Sequence, residues 1–345
     1  MNPRPAGALR LGGWLLVAAL LATCPALAED EAHQWLAAMN EALAGHNYQG
    51  EFLHVANGHI ERLRIVHRVK DGRVAERLVN LSGSGREIIR HDAALECYLP
   101  DERKVLVESQ AEAGSMLGTL PAFDTHLDNY RLELGERAMM LGRPARVLAV
   151  NPRDGYRFGY RLWIDEANKM PVRTDLCDAE GHMLEQVLFT SLHVGGPIAD
   201  AAFRPEVDAA AFDWVRQGGG AHSRAAEELP WRLLQLPPGF RIHSSVEQRL
   251  PGSEHPVMHL VLSDGLASVS VFIEEPPAPP RQASAGQGRV GAAIVYARVV
   301  GGYQVTAVGE VPPQTVELIA SGVAPAKPRR LALGAAGLVA GPPAQ

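Results

Sequence analysis

Thirteen histidines, two mid-chain cysteines and one glycine-rich hexad are the residues of this 345-residue chain that could do chemistry. His54, His59 and His67 come from neighbouring predicted strands, but their spacing matches no metal-ligand motif. His182 and His193 are isolated. Such histidines read as solvated or hydrogen-bonded structural residues, and no metal site is expected. Asp and Glu are scattered, without the paired pattern on adjacent strands that acid–base hydrolysis uses. Gly286-x-Gly288-x-x-Gly291 has the letters of a dinucleotide-binding turn. That turn needs a strand before it and a helix N-terminus after it to hold a pyrophosphate. Here a loop precedes and a strand follows. No G-x-S-x-G elbow with a following helix and no phosphate loop occurs. The residues assign no catalytic group and no cofactor, and they favour a binding or regulatory protein over an enzyme.

The cysteines have to be read together with the start of the chain. Residues 1–28 read as a secretory signal peptide. Arg4 and Arg10 give a positive n-region, Leu11 to Ala22 an apolar core, and Ala26-Leu27-Ala28 a cleavage site before Glu29. The apolar run is too short to span a bilayer and charge follows it, so no membrane anchor is expected. Thr23 makes Leu21-Ala-Thr-Cys24 a poor lipoprotein box. Export permits a disulfide between Cys97 and Cys177, the alternative being two free thiols. Cys177 shares a strand face with Arg173 and Asp175, so a bridge would form away from the apolar face. Loss of the leader removes two arginines and takes the formal net charge from −6 to −8. A chain this acidic is a poor nucleic-acid binder.

The elements that position these residues are mostly strands. Glu29 to His46 has the helical spacing of Trp35, Leu36, Met39 and Leu43, with Gly45 as a stop. Strands follow at short intervals: Tyr48 to Val55, Glu61 to Val69, Val74 to Leu81, Arg86 to His91 and Leu95 to Leu99. Asn57-Gly58 and Lys70-Asp71-Gly72 mark turns. Glu108 to Tyr130 breaks the rhythm; it reads as an apolar, glycine-containing loop or short helix that plugs or covers the sheet. Strands resume at Arg131, Arg137 and Pro144. Residues 156–186 then read as three antiparallel strands turned by Asp165–Lys169 and Asp178–Gly181. Strand parity puts Tyr48, Phe52, Leu63, Ile65, Phe158, Tyr160, Leu162, Ile164, Met170 and Val172 on apolar faces, with Arg62, Arg64, Arg161 and Trp163 opposite. Those ten form the candidate ligand face. The length suggests two domains, and the 46% apolar content supplies a core for each. The expected division is 29–204 for a large domain and 205–229, with Gly218-Gly-Gly220, for a flexible linker between separately folding units. A small α+β domain over 230–323 and a disordered tail over 324–345 follow. Within the small domain, Pro276 to Arg289 reads as a loop, Gly301-Gly302 as a hairpin turn, and Val311 to Gly322 as a closing helix.

Several short motifs, in order across both domains, carry a resemblance. They include Asn47-Tyr48-x-Gly50, Gly85-Arg-Glu-Ile-Ile-Arg90, Cys97-Tyr98-x-Pro100, Arg153-Asp-Gly155, Leu162-Trp-Ile-Asp165, Pro171-Val-Arg173 and Leu184-Glu-Gln186. In the small domain come Leu236-Pro-Pro-Gly-Phe240, Ser263-Asp264-Gly265 and Gly309-Glu-Val-Pro-Pro-Gln-Thr315. Together they resemble the RseB/MucB family, from about Trp35 to Val323. The resemblance implies a mainly β fold with some α: a large lipoprotein-carrier (LolA-like) open β-barrel domain and a small α+β domain. It implies a soluble periplasmic regulator of the envelope-stress sigma factor. Such proteins bind the periplasmic part of a single-pass anti-sigma factor, shield it from proteolysis, and release it on sensing an acylated amphiphile, lipopolysaccharide or lipoprotein. A plain lipoprotein or lipid carrier is the alternative, but a carrier needs only the large domain. A homodimer is left open. N-terminal sequencing of the exported protein is expected to begin at Glu29; a start at an acylated Cys24 would replace the soluble reading with a lipoprotein.

Overall fold

A computed structural model describes residues 25–83, 85–92, 94–108, 127–217, 222–223, 229–248, 255–275 and 285–326. The leader before residue 25, most of the segment between Glu108 and Tyr130, Gly218-Gly-Gly220 and the tail beyond Ala326 lie outside these residues. The first element is helix α1 (Pro25–Gly45), which starts four residues inside the expected leader. Ala32, Leu36, Met39 and Ala42 recur at three- and four-residue spacing and are all buried, so one stripe of the helix faces the core.

The large domain is one open sheet of twelve strands. They are β1 (Tyr48–Ala56), β2 (His59–Lys70), β3 (Arg73–Asn80), β4 (Glu87–His91), β5 (Ala94–Leu99), β6 (Lys104–Glu108), β7 (Tyr130–Met140), β8 (Arg143–Pro152), β9 (Gly159–Asp165), β10 (Pro171–Cys177), β11 (Met183–Val194) and β12 (Asp213–Gln217). The order is β12-β6-β5-β4-β3-β2-β1-β11-β10-β9-β8-β7, and β12 and β7 are unpaired edges among the described residues, so the barrel stays open. All pairings are antiparallel except β12 with β6. The expected turns form. Asn57-Gly58 and Asp71-Gly72 both have positive φ at two successive residues, the conformation that follows strand twist in a two-residue hairpin. Asp165 Oδ1 accepts the Ala167 and Asn168 N–H groups at 2.8 and 3.2 Å, and Asp178 Oδ1 those of Glu180 and His182 at 3.1 and 2.8 Å. The two strands expected at Arg131 and Arg137 are one strand, β7, with an irregularity between Leu134 and Arg137.

The motif Asn47-Tyr48-x-Gly50 has a local reason. Asn47 Oδ1 accepts the Val69 N–H at 2.9 Å while its Nδ2 donates to the Gly196 carbonyl at 2.9 Å, tying both ends of the β1 region down. A Cβ on Gly50 would stand 2.3 Å from the Ser191 carbonyl oxygen, beside a bulge between Glu51 and Phe52.

The small domain has a seven-stranded sheet, an α-helix and a two-stranded ribbon. Its strands are β13 (His222–Ser223), β14 (Trp231–Leu233), β15 (Arg241–Gln248), β16 (Val257–Ser263), β17 (Ser268–Glu274), β18 (Gly286–Val290), β19 (Ala293–Val300), β20 (Tyr303–Gly309) and β21 (Val323–Pro325). Helix α2 (Pro313–Gly322) starts at a proline, as expected, and packs on β19 and β20. The larger sheet runs β13-β15-β16-β17-β20-β19-β18, and β14 pairs with β21.

Three boundaries differ from the sequence expectation. The stretch 205–217 is not linker: Val207, Ala209 and Phe212 pack with Ile89, Tyr98 and Val105, and β12 extends the large sheet. The end of the expected loop 276–289 is strand β18, antiparallel to β19, although its five residues are all exposed. Its exposed, glycine-rich sequence is why pattern reading missed it. The tail begins later than 324, because Ala324 and Pro325 belong to β21.

What holds 205–217 on the sheet is Glu87. Its Oε1 accepts the Glu206 and Val207 N–H groups at 2.9 and 3.2 Å, and its Oε2 accepts Arg77 Nε at 2.9 Å. Arg77 and Glu87 are both buried. Glu87→Ala leaves a buried guanidinium short of its partner and two N–H groups unpaired. We expect a loss of about 3 kcal/mol in chemical denaturation, with Glu87→Gln milder.

Candidate functional site: an apolar face and a domain join

The structure gathers nine of the ten candidate ligand-face residues into one cluster. Tyr48, Phe52, Leu63, Ile65, Phe158, Tyr160, Leu162, Ile164 and Met170 all belong to it. Val172 does not. A register shift between Pro171 and Arg173 takes it out of the alternation that the sequence suggested, and although buried it packs elsewhere. Trp163 lies on the opposite face as expected, with the Arg173 guanidinium 4.1 Å above its ring.

Helix α1 covers this face. Leu36, Met39 and Ala42 join the same cluster, and Lys169 Nζ sits 3.8 Å over the Trp35 ring, fixing the helix to the β9–β10 turn. The face is therefore a packed core among the described residues. A cleft of about 670 Å³ opens beside it. Leu36, Leu127 and Tyr130, all members of the cluster, form its apolar wall, and Glu29, Asp30, Asp128 and Arg153 stand around its mouth.

A polar centre joins the two domains at the end of the same core. Arg157 is only 1% exposed and lies in the loop between β8 and β9. It donates from Nε to Asp154 Oδ1 at 3.0 Å, from Nη2 to Asp154 Oδ2 at 3.0 Å and to the Pro238 carbonyl at 2.6 Å, and from Nη1 to Asp264. Its guanidinium also lies over the Tyr130 and Phe240 rings at 5.5 and 5.3 Å. Asp264 sits at the tip of the β16–β17 hairpin. Its Oδ1 accepts the Leu266 and Ala267 N–H groups at 2.9 and 2.7 Å, and its Oδ2 accepts the Tyr130 hydroxyl at 3.2 Å. Just before and within α2, Gln314 Nε2 donates to the Gly155 carbonyl at 2.6 Å and Thr315 Oγ1 to that of Tyr156 at 2.7 Å. Gly239, at φ +79°, leaves room for Asn129, whose Nδ2 would stand 2.0 Å from a Cβ there. Leu266 and Ala292 of the small domain pack into the large-domain cluster, so the two units share a core instead of hanging on a free hinge.

A second polar contact lies on the β1/β11 side. His54 Nε2 is hydrogen-bonded to Glu185, which is 5% exposed, and Glu61 Oε2 is 3.9 Å from His54 Nδ1. The Glu185 hydrogen bond raises the His54 pKa despite partial burial. Glu310, just after β20, faces this pair from the small domain. Its pKa is raised to about 7, first by desolvation at the join and then by the Glu185 carboxylate, although the residue keeps contact with solvent. Burial raises the Tyr160 pKa, and the carboxylates of Glu310, Glu185 and Asp264 add to it.

Residues 31–207 match the family described as MucB/RseB N-terminal domain, and residues 225–324 match MucB/RseB C-terminal domain. The chain belongs to the MucB/RseB family. It is 33% identical over 326 residues to the sigma factor AlgU regulatory protein MucB of Pseudomonas aeruginosa, covering 92% of this chain and 98% of that one. It is 27% identical over 312 residues to the sigma-E factor regulatory protein RseB of Escherichia coli K12, covering 90% and 95%. Among solved structures, the Pseudomonas aeruginosa MucA/MucB complex superposes with a TM-score of 0.67 at 32% identity, over 86% of this chain and 99% of that one. MucB alone gives 0.61 at 30% identity, over 86% and 98%. These are regulatory proteins, not enzymes.

Four of the motifs that carry the family resemblance meet at the domain join. Arg153-Asp-Gly155 supplies the gripping loop, Leu236-Pro-Pro-Gly-Phe240 the Pro238 carbonyl and the Phe240 ring, Ser263-Asp264-Gly265 the acceptor, and the 309–315 motif Glu310, Gln314 and Thr315. Sequence reasoning missed Arg157, Asp264 and Tyr130 as one site because their partners lie as far as 134 positions apart in the chain. The remaining candidates are placed plainly. Cys97 and Cys177 are free thiols on β5 and β10, with five strands between them in the sheet, and burial raises both pKa values. His67 stacks on Tyr48 at 4.6 Å and donates or accepts at the His46 carbonyl; burial lowers its pKa. His182 is not isolated: with Asp178 and Glu180 it could face an ion in an exposed turn, but Asp178 is engaged by the N–H groups of that turn.

The join carries a pH dependence of definite sign. The folded chain holds a proton on Glu310 up to about pH 7, whereas an ordinary glutamate releases it near 4.5, so stability falls as pH rises between these values. His54, raised above 6.5, adds stability below that pH and loses it as pH rises through its folded value. Thermal unfolding of wild type is expected to lose more stability between pH 5.5 and pH 8 than Glu310→Gln does. Parallel curves would remove Glu310 from the account.

Proposed function

We propose that this chain is a periplasmic regulator that binds the periplasmic segment of a single-pass anti-sigma factor and shields it from the protease that would degrade it. An acylated amphiphile, lipopolysaccharide or lipoprotein, releases the segment. The observation that carries the reading is the two-domain match, over nearly the whole length of both chains, to MucB as solved in complex with MucA. The match includes the join, which a plain lipid carrier with a single domain would not need. No helix among the described residues is long and apolar enough to cross a membrane, and the charge pattern of residues 1–28 supports export.

The apolar face supports the lipid part of the reading. Burial of an acyl chain stabilises by about 0.8 kcal/mol per methylene, enough for a medium-length chain to compete with side chains now packed there. The test compares free protein, protein with the periplasmic segment of its anti-sigma factor, and that complex with added lipid. Lipid is expected to weaken segment binding, and the segment to weaken lipid binding by the same factor. Leu162→Ala, at a fully buried position, costs perhaps 2–5 kcal/mol of stability. Once circular dichroism shows it folded, it should respond less to lipid. A folded variant that still loses the segment as readily as wild type sinks the face assignment. Mutual indifference of lipid and segment sinks the release mechanism.

A further inference from the structure

We propose that Tyr130 couples the cleft beside α1 to the domain join, so that an acyl chain in the cleft and the closed arrangement of the domains exclude one another. This rests on the lipid-binding reading above and assigns its entry point and its coupling residue.

Three observations meet at this one side chain. Tyr130 walls the 670 Å³ cleft together with Leu36 and Leu127. The same ring is 2% exposed and belongs to the core cluster that contains the candidate ligand face. Its hydroxyl donates to Asp264 Oδ2 at 3.2 Å, and the Arg157 guanidinium lies 5.5 Å from its ring centre. A chain that passes from the cleft towards the face must move this ring, and the ring cannot move without withdrawing a donor from a carboxylate that has no exposure to water. Arg153 repeats the link at the mouth: Nε donates to the Tyr130 carbonyl at 2.9 Å, its backbone N–H to the Asn129 carbonyl at 2.8 Å, and Nη2 to Glu29 at 3.2 Å. Asn129 in turn packs against Gly239 of the small domain.

The mouth also selects a head group. Arg153 offers one cation, while Glu29, Asp30 and Asp128 offer three carboxylates. A zwitterionic head, its phosphate on Arg153 and its cation among the acids, fits this set, whereas a purely anionic head meets repulsion. The ligand class is therefore a single-chain amphiphile with a zwitterionic head.

The probes are dodecylphosphocholine below its micellar concentration and a lauroyl chain on a phosphoglycerol head. The protein is the full exported chain. Spin labels replace Glu136 and Glu317, both exposed, through Glu136→Cys and Glu317→Cys in a Cys97→Ser, Cys177→Ser background. Distance distributions report domain closure, and calorimetry reports affinity. Dodecylphosphocholine is expected to lengthen the interdomain distance in wild type and to bind more tightly than the phosphoglycerol probe. Tyr130→Phe keeps the wall and deletes the donor. It should shift the unliganded protein towards the open distance and bind the probe roughly fivefold more tightly, the factor one net hydrogen bond represents. Thr315→Val weakens the join without touching the cleft and should shift affinity in the same direction, which separates coupling from a change in the wall. If Tyr130→Phe and Thr315→Val match wild type in distance and affinity, Tyr130 is a core residue only and the coupling is wrong. Equal binding of the two probes overturns the head-group assignment. If neither probe binds any form of the protein, the lipid-binding reading falls and takes this inference with it.

Discussion

The Arg157–Asp264 pair is the constraint on which the two-domain arrangement depends. Both side chains are cut off from water. Withdrawing a guanidinium and a carboxylate from solvent costs several kcal/mol each, and their attraction offsets that cost only when the remaining donors and lone pairs are also filled. They are filled here. Asp154 and the Pro238 carbonyl take the other Arg157 donors, two backbone N–H groups and Tyr130 take the other Asp264 lone pairs, and two aromatic rings flank the cation. A pair so completely satisfied tolerates one relative placement of the domains and penalises others. It contributes specificity of arrangement more than net stability.

That placement explains why the small domain contributes to the large-domain core. The hairpin tip that presents Asp264 also presents Leu266, which is 5% exposed and packed into the cluster of α1 and the β7–β11 face. A join with polar contacts alone would give way to water; with Leu266 and Ala292 behind it, the ion pair sits in a low-dielectric setting where each hydrogen bond is stronger. The Glu185–His54–Glu310 contact has the opposite character. It places two carboxylates near each other with one imidazole between them, so its contribution depends on protons, whereas that of the Arg157 pair does not.

How much of this was legible in the sequence follows from the range of each interaction. Local geometry was legible. Asn57-Gly58 had to be a hairpin because two successive positive φ values suit few residues, and the alternation of Phe158, Tyr160, Leu162 and Ile164 required one buried face. Where register slips, parity fails: Val172 left its predicted face because the β9–β10 pairing skips a residue there. Strand β12 was missed because it pairs with β6 about a hundred residues earlier, and nothing in Asp213–Gln217 alone says so. The join was invisible to periodicity. Its residues come from loops and hairpin tips, where no period exists, and only the order of the family motifs marked the segments that meet there.

The same apolar face serves as core and as candidate ligand surface, and one packing argument connects the two uses. A fully open face of Tyr, Phe, Leu and Ile would expose far more apolar area than a soluble chain tolerates. Something must cover it when no ligand is present. Helix α1 and Leu266 do so, with Lys169 over Trp35 and Tyr130 against Asp264 as the polar fastenings at either side. Those fastenings are few and lie at the margins of the contact, whereas the contact itself is non-directional burial. A hydrocarbon chain can replace that burial, because it offers the same apolar surface, but it cannot replace a directional hydrogen bond to a dry carboxylate. An exchange between protein cover and lipid cover is therefore decided at the fastenings and not across the face, which places the control of such a switch at the domain join.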